Sequence, residues 1–109
     1  MATIRAYVYR DPGVFDSYKV YPPIVIVSAG DTFELVNTVD EKYAKYAEWT
    51  IPDQLENEKG YKDKEQIPPK GRSKNKLKKD AVVAAVEYKV KVDGHEAKGN
   101  SDPVIIIDP

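Results

Sequence analysis

From Val82 to Val92 every second residue is apolar: Val82, Ala84, Val86, Tyr88, Val90 and Val92. Past Ala85, the positions between them are Glu87, Lys89 and Lys91. A period of two gives a β-strand one buried and one wet face, and a helix cannot sort these residues that way. Asp93-Gly94 directly behind it is a hairpin-turn signal. The alternation predicts that Val90 is buried. We expect the same of Trp49, in the strand-like stretch Glu48 to Pro52.

The same short grain runs through the rest of the chain. Thr3 to Arg10 alternates, with Ile4, Ala6 and Val8 on one face and Arg5, Tyr7 and Tyr9 on the other. Asp11-Pro12-Gly13 then turns it. Val14 to Tyr21 has no clear period, and Pro22-Pro23 ends it. Ile24 to Val27 is wholly apolar and β-branched, which predicts a strand covered on both faces. Ala29-Gly30-Asp31 is a turn, and Thr32 to Asn37 follows with Phe33 and Leu35 on one face, as a hairpin-linked or sheet-switching partner. Asp40 suits the cap of a short helical turn, with Tyr43, Ala44 and Ala47 at helical spacing. Asp53 and Glu56 stand three apart, as in a capping box, and Gly60 supplies a stop, which predicts a helix over 54–59. Residues 61–72 read as loop, 73–78 as a polar strand, and Val104 to Ile107 as a closing buried strand. The sum is one domain over residues 1–109: an all-β sandwich of about seven strands with Greek-key connections and one or two helical turns.

The bulk numbers narrow the chemistry. The 109 residues are 41% hydrophobic and 32% charged, enough for a core and a well-solvated surface. The net charge of -1 gives the molecule no general bias toward nucleic acid or membranes. No apolar run reaches the length of a membrane span. With no cysteine, disulfides, thiol nucleophiles and thiolate metal sites are excluded.

The order of these signals resembles the cupredoxin superfamily, from about Ile24 onward. Pro23-Ile24-Val25-Ile26-Val27 and Gly30-Asp31-Thr32-Phe33-Glu34-Leu35-Val36-Asn37 look like its second and third strands. Pro69-Lys70-Gly71-Arg72-Ser73 looks like its Pro-Gly turn. Tyr88-Lys89-Val90, with His95 five residues past Val90, looks like the entry to its copper loop. Blue copper needs two imidazoles, a thiolate and a weak axial ligand. The resemblance puts Val90 at the ligand cysteine, Ala47 at the first histidine, His95 at the second and Gly99 near the axial methionine. One ligand of four survives, so no cofactor is expected. The resemblance also implies a periplasmic or extracellular location for a chain whose leader has been removed.

Few residues stand out as sites. His95 is the only histidine; it is a candidate metal ligand or proton shuttle, and its ordinary reading is a loop residue at one end of the sandwich. Lys70, Arg72, Lys74, Lys76, Lys78 and Lys79 put six basic residues within ten. On a strand, Lys74, Lys76 and Lys78 would form a stripe able to meet an acidic partner, an anionic glycan or a phosphate backbone. The plainer expectation is an edge strand that lysines guard against pairing. No aromatic residue is interleaved, so there is no specific nucleic-acid signal. Eight tyrosines suit either contact surfaces or ordinary strand duty. No serine, histidine and acid are spaced for nucleophilic catalysis. The expected protein is thus a monomeric, non-catalytic binding domain of unknown specific role, for which another protein is the candidate partner. The alternative is a copper-handling or electron-transfer relative with an atypical site.

Overall fold

The computed structural model describes every residue of the chain except Phe15 and Ala44. Half of it is strand. Twelve strands occur among the described residues: β1 Thr3–Arg10, β2 Tyr18–Tyr21, β3 Ile24–Ser28, β4 Thr32–Asn37, β5 Ala47–Thr50, β6 Leu55–Asn57, β7 Lys64–Ile67, β8 Arg72–Leu77, β9 Ala84–Glu87, β10 Val90–Val92, β11 His95–Glu96 and β12 Val104–Asp108. They form three sheets: β2-β1-β4-β8-β6, β11-β10-β5-β7 and β3-β12-β9. Two pairings are parallel, β1 with β4 and β3 with β12. No helix among the described residues is long and apolar enough to cross a membrane.

One core joins the sheets. Ala6, Val8, Phe33 and Leu35 from the five-stranded sheet meet Trp49 and Val90 from the four-stranded sheet and Val27, Ile105 and Ile107 from the three-stranded one. At its centre Phe33, Trp49 and Tyr88 pack edge-on or tilted, with ring centroids 5.7–6.2 Å apart. That geometry suits the ring quadrupoles. Val90 and Trp49 are both buried, and they pair across β10 and β5.

Several expectations are corrected. The 82–92 segment is not one strand. β9 pairs with β12 in one sheet, and β10 pairs with β5 in another, so the chain changes sheets across Tyr88–Lys89. Val82 lies ahead of β9, outside the strand, and is 60% exposed. Residues 54–59 are not a helix. Leu55 and Asn57 alternate inward on β6, which pairs antiparallel with β8. Six residues are too few to hold a helix against an available ladder. The stretch 61–72, read as loop, contains β7, hidden because Lys64-Glu65-Gln66 are polar although Glu65 is buried. The helical turn past Asp40 is a single 3₁₀ turn, Glu41–Tyr43, in which the Asp40 carboxylate accepts from the Lys42 N–H. Ala47 belongs to β5, and Ala44 lies outside the described residues. β3 is covered on one face only, since Ile24 and Ile26 are exposed. β3 and β4 switch sheets rather than form a hairpin.

The turn chemistry follows the sequence closely. Asp93 and Gly94, at φ 54° and 80°, join β10 to β11 in a two-residue hairpin, the geometry a type I′ turn requires. Between β7 and β8, Gly71 donates to the Pro68 carbonyl, and a Cβ there would meet Pro68 Cγ at 2.9 Å. That contact restricts the position to glycine.

Candidate binding face

The outer face of the five-stranded sheet gathers most of the residues singled out for binding. Strand registers set them in rows. Tyr21, Tyr7, Val36 and Arg72 stand side by side; next to them run Arg5, Glu34 and Lys74; next again Thr3, Thr32, Lys76 and Glu56. Alternation turns these side chains outward, because Ala6, Val8, Phe33, Leu35, Ser73 and Asn75 take the inward positions.

Glu34 organises the centre. Its Oε1 accepts from Arg5 Nε at 3.0 Å and from Arg72 Nη1 at 2.9 Å. Its side chain is only 9% exposed, whereas the two arginines are 45% and 42% exposed. The carboxylate is thus recessed between two half-exposed guanidiniums. Burial pushes the Glu34 carboxyl up, but hydrogen bonds from Arg5 and Arg72 more than offset it and hold it below the usual value. A carboxyl lowered in the folded state stabilises the protein above the unfolded pKa and loses that contribution as pH falls through the folded one. Glu34→Gln should therefore lower stability at pH 7 by about 1 kcal/mol, a modest figure because the arginines are solvated. Urea melts at pH 7 and at about pH 3 should show the difference shrink in acid. A gap that persists in acid would mean the contribution is not ionic.

Lys74 and Lys76 are exposed, adjacent on β8 at about 7 Å spacing, and neither forms an ion pair among the described residues. Glu34 and Glu56 are their cross-strand neighbours, and Lys74 and Lys76 line a shallow cleft with Glu56 and Glu58. Lys78 lies past the end of β8, so the row is Arg72, Lys74, Lys76 rather than one that ends in Lys78. The strand is not an edge. β4 flanks one side, and β6 flanks the other over Asn75–Leu77. Sequence reasoning missed Arg5 and Glu34. The signal was present, because both occupy outward positions of alternating strands.

The tyrosines divide. Tyr7 and Tyr21 are a cross-strand pair, 38% and 64% exposed, beside Arg5 and Arg72. Tyr18 is buried. Tyr88 is buried too, its hydroxyl has no hydrogen-bond partner among the described residues, and burial pushes its pKa up.

The four positions that the family resemblance assigned to copper are separated in character. Ala47 and Val90 are buried, apolar and offset by two residues in register, since Ala47 pairs with Val92 and Val90 with Trp49. His95 is exposed at the hairpin, its ring 6.5 Å from that of Tyr18. Gly99 is exposed and outside any strand. No three histidine, aspartate or glutamate side chains group as a metal site among the described residues.

No protein-family model matches the chain, and a search of curated proteins finds no match.

Proposed function

We propose that this chain is a non-catalytic binding domain on a cupredoxin-like Greek-key sandwich without a blue-copper site. The outer face of its five-stranded sheet takes an acidic segment of a partner protein. The fold reading is supported by strands that cross between sheets and by the parallel pairing of the last strand with β3. The absence of a copper site is supported by Ala47 and Val90, apolar residues packed into the core at two of the expected ligand positions.

One observation carries the binding assignment. β8 is flanked by β4 over Arg72–Lys76 and by β6 over Asn75–Leu77, so it is an inner strand of its sheet and not a free edge at Lys76, and its cations share a surface with Arg5 and the Tyr7–Tyr21 pair. Guanidiniums held by a recessed carboxylate are preorganised for carboxylate recognition. Flanking tyrosines add rigid contact area with polar tips. Binding of this kind is steered by charge and weakens with salt.

The test uses fluorescein-labelled polyglutamate at low ionic strength, followed by anisotropy. Saturable binding is expected, weakened by salt and reduced at least about tenfold in a Lys74/Lys76→Gln variant. Glutamine is chosen because glutamate would face Glu34 and Glu56 across the strands. Thermal melts check that the variant is folded. Absence of parent binding, or equal binding by a folded variant, would overturn the assignment. Binding to heparin but not to polyglutamate would reassign the face to a sulfated glycan.

A further inference from the structure

The three-stranded sheet has an outer face unlike every other in the molecule. Inward go Val25, Val27, Ile105 and Ile107. Outward, the registers put Ile24 beside Val104 and Glu87, and Ile26 beside Ile106 and Ala85. Ile24 is 57% exposed, Ile26 56%, and Val83, one residue ahead of β9, 74%. A solvated sheet face is ordinarily polar at these alternate positions. This chain follows that rule on β1 and β8, with Thr3, Arg5, Arg72, Lys74 and Lys76 outward. On β3 and β12 it does not. The charged side chains of the patch, Glu87 and Asp108, stand at its ends.

We propose that this face is the interface of a two-fold homodimer, in which the β3-β12-β9 sheets of two copies pack face to face. Three arguments select a second copy as the occupant. An aliphatic surface with no charge at its centre is complementary to itself, as an isologous interface requires. Two such sheets stack at about 10 Å, with the aliphatic side chains interleaved between them. The net charge of -1 sets up little repulsion between copies. The area also agrees. The patch exposes on the order of 500 Å² per copy, as large as the largest patches monomers leave open. Two copies then bury about 1,000 Å², the lower bound for a specific interface. An interface at that lower bound belongs with weak, reversible associations, for which a dissociation constant in the micromolar range is expected.

Sedimentation equilibrium from about 5 to about 500 µM tests this, since the range brackets the expected constant. A monomer–dimer equilibrium is expected, unweakened by about 1 M salt because the contact is apolar and its rim acidic. Ile26→Lys should weaken it at least about 30-fold, as loss of a central anchor does. The substitution is on a solvated face, so circular dichroism and the melt of the dilute protein should match the parent. Ile26→Ser is the milder companion. Tyr21→Lys, equally exposed on the other layer, should dimerise like the parent. A parent that stays monomeric to the top of the range would overturn the proposal and leave the face to a different chain. Dimerisation of a folded Ile26→Lys protein at parental strength would also overturn it.

Discussion

Val90→Asp is expected to lower the melting temperature by about 20 °C, the equivalent of about 4 kcal/mol for a domain of this size. Val90 is 1% exposed, stands across from Trp49 and lies in the cluster that joins all three sheets. An aspartate there has no cation within the core to meet it. The side chain must either ionise in an apolar setting, which costs several kcal/mol, or remain protonated with unmet hydrogen bonds. Val90→Cys keeps nearly the same volume and no charge, and should stay within about 1 kcal/mol of the parent. Thermal melts of the pair separate charge from shape. If the aspartate protein melted with the parent, β10 would not present Val90 to the core, and the register with β5 would be wrong.

Val90 was legible because alternation says which face a strand buries. It does not say which sheet the strand joins. Tyr88 keeps the two-residue period through the point where the chain leaves β12 and joins β5, so nothing in 82–92 marks the crossing. Where turn chemistry brackets a strand, the bounds were readable: β1 ends at Asp11-Pro12-Gly13, and β4 begins after Gly30-Asp31. Residues 54–59 misled because Asp53 and Glu56 satisfy a capping spacing that β6 does not use. Local propensity yielded there to a ladder with β8.

The same limit explains the surfaces. Ile24 to Val27 is apolar at every position, and composition alone reads that as burial on both sides. Only the placement of β3 beside β12, with nothing over Ile24 and Ile26, distinguishes a two-sided core strand from a one-sided strand with a partner-seeking face. The lysines of β8 were visible as a row, but their meaning depends on the neighbours of β8. An edge position would have made them protective. An interior position beside Arg5 and Glu34 makes them part of a charged surface.

Asn57→Ala is expected to cost about 3 kcal/mol, a large effect for a small polar side chain. The reason lies inside the same strands that carry the cationic face. Asn57 Nδ2 donates to Glu65 Oε1 at 2.9 Å and to Asn75 Oδ1 at 2.9 Å, with Ser73 Oγ further off at 3.2 Å. With two hydrogens available, the two short contacts are the principal bonds. Glu65 belongs to the four-stranded sheet and Asn75 to the five-stranded one, so this amide ties the layers together. Both of its main partners are buried. Among the described residues, Glu65 Oε1 otherwise receives only the Trp49 indole at 3.5 Å, a long bond. Truncating Asn57 therefore strands a buried acid, and removing one partner of such a pair is worse than removing both. Asn57→Ala combined with Glu65→Leu should consequently recover part of the loss, giving a coupling of about 1–3 kcal/mol in a double-mutant cycle. Urea unfolding of the four proteins measures it. Strict additivity would mean that Asn57 and Glu65 do not sense each other across the core. A coupled cycle would make this amide the anchor of β8, whose inward Ser73 and Asn75 fix the pose of the outward Arg72, Lys74 and Lys76. Asn57→Ala should then also weaken polyglutamate binding at temperatures where the variant remains folded, although Asn57 is turned away from the outer face.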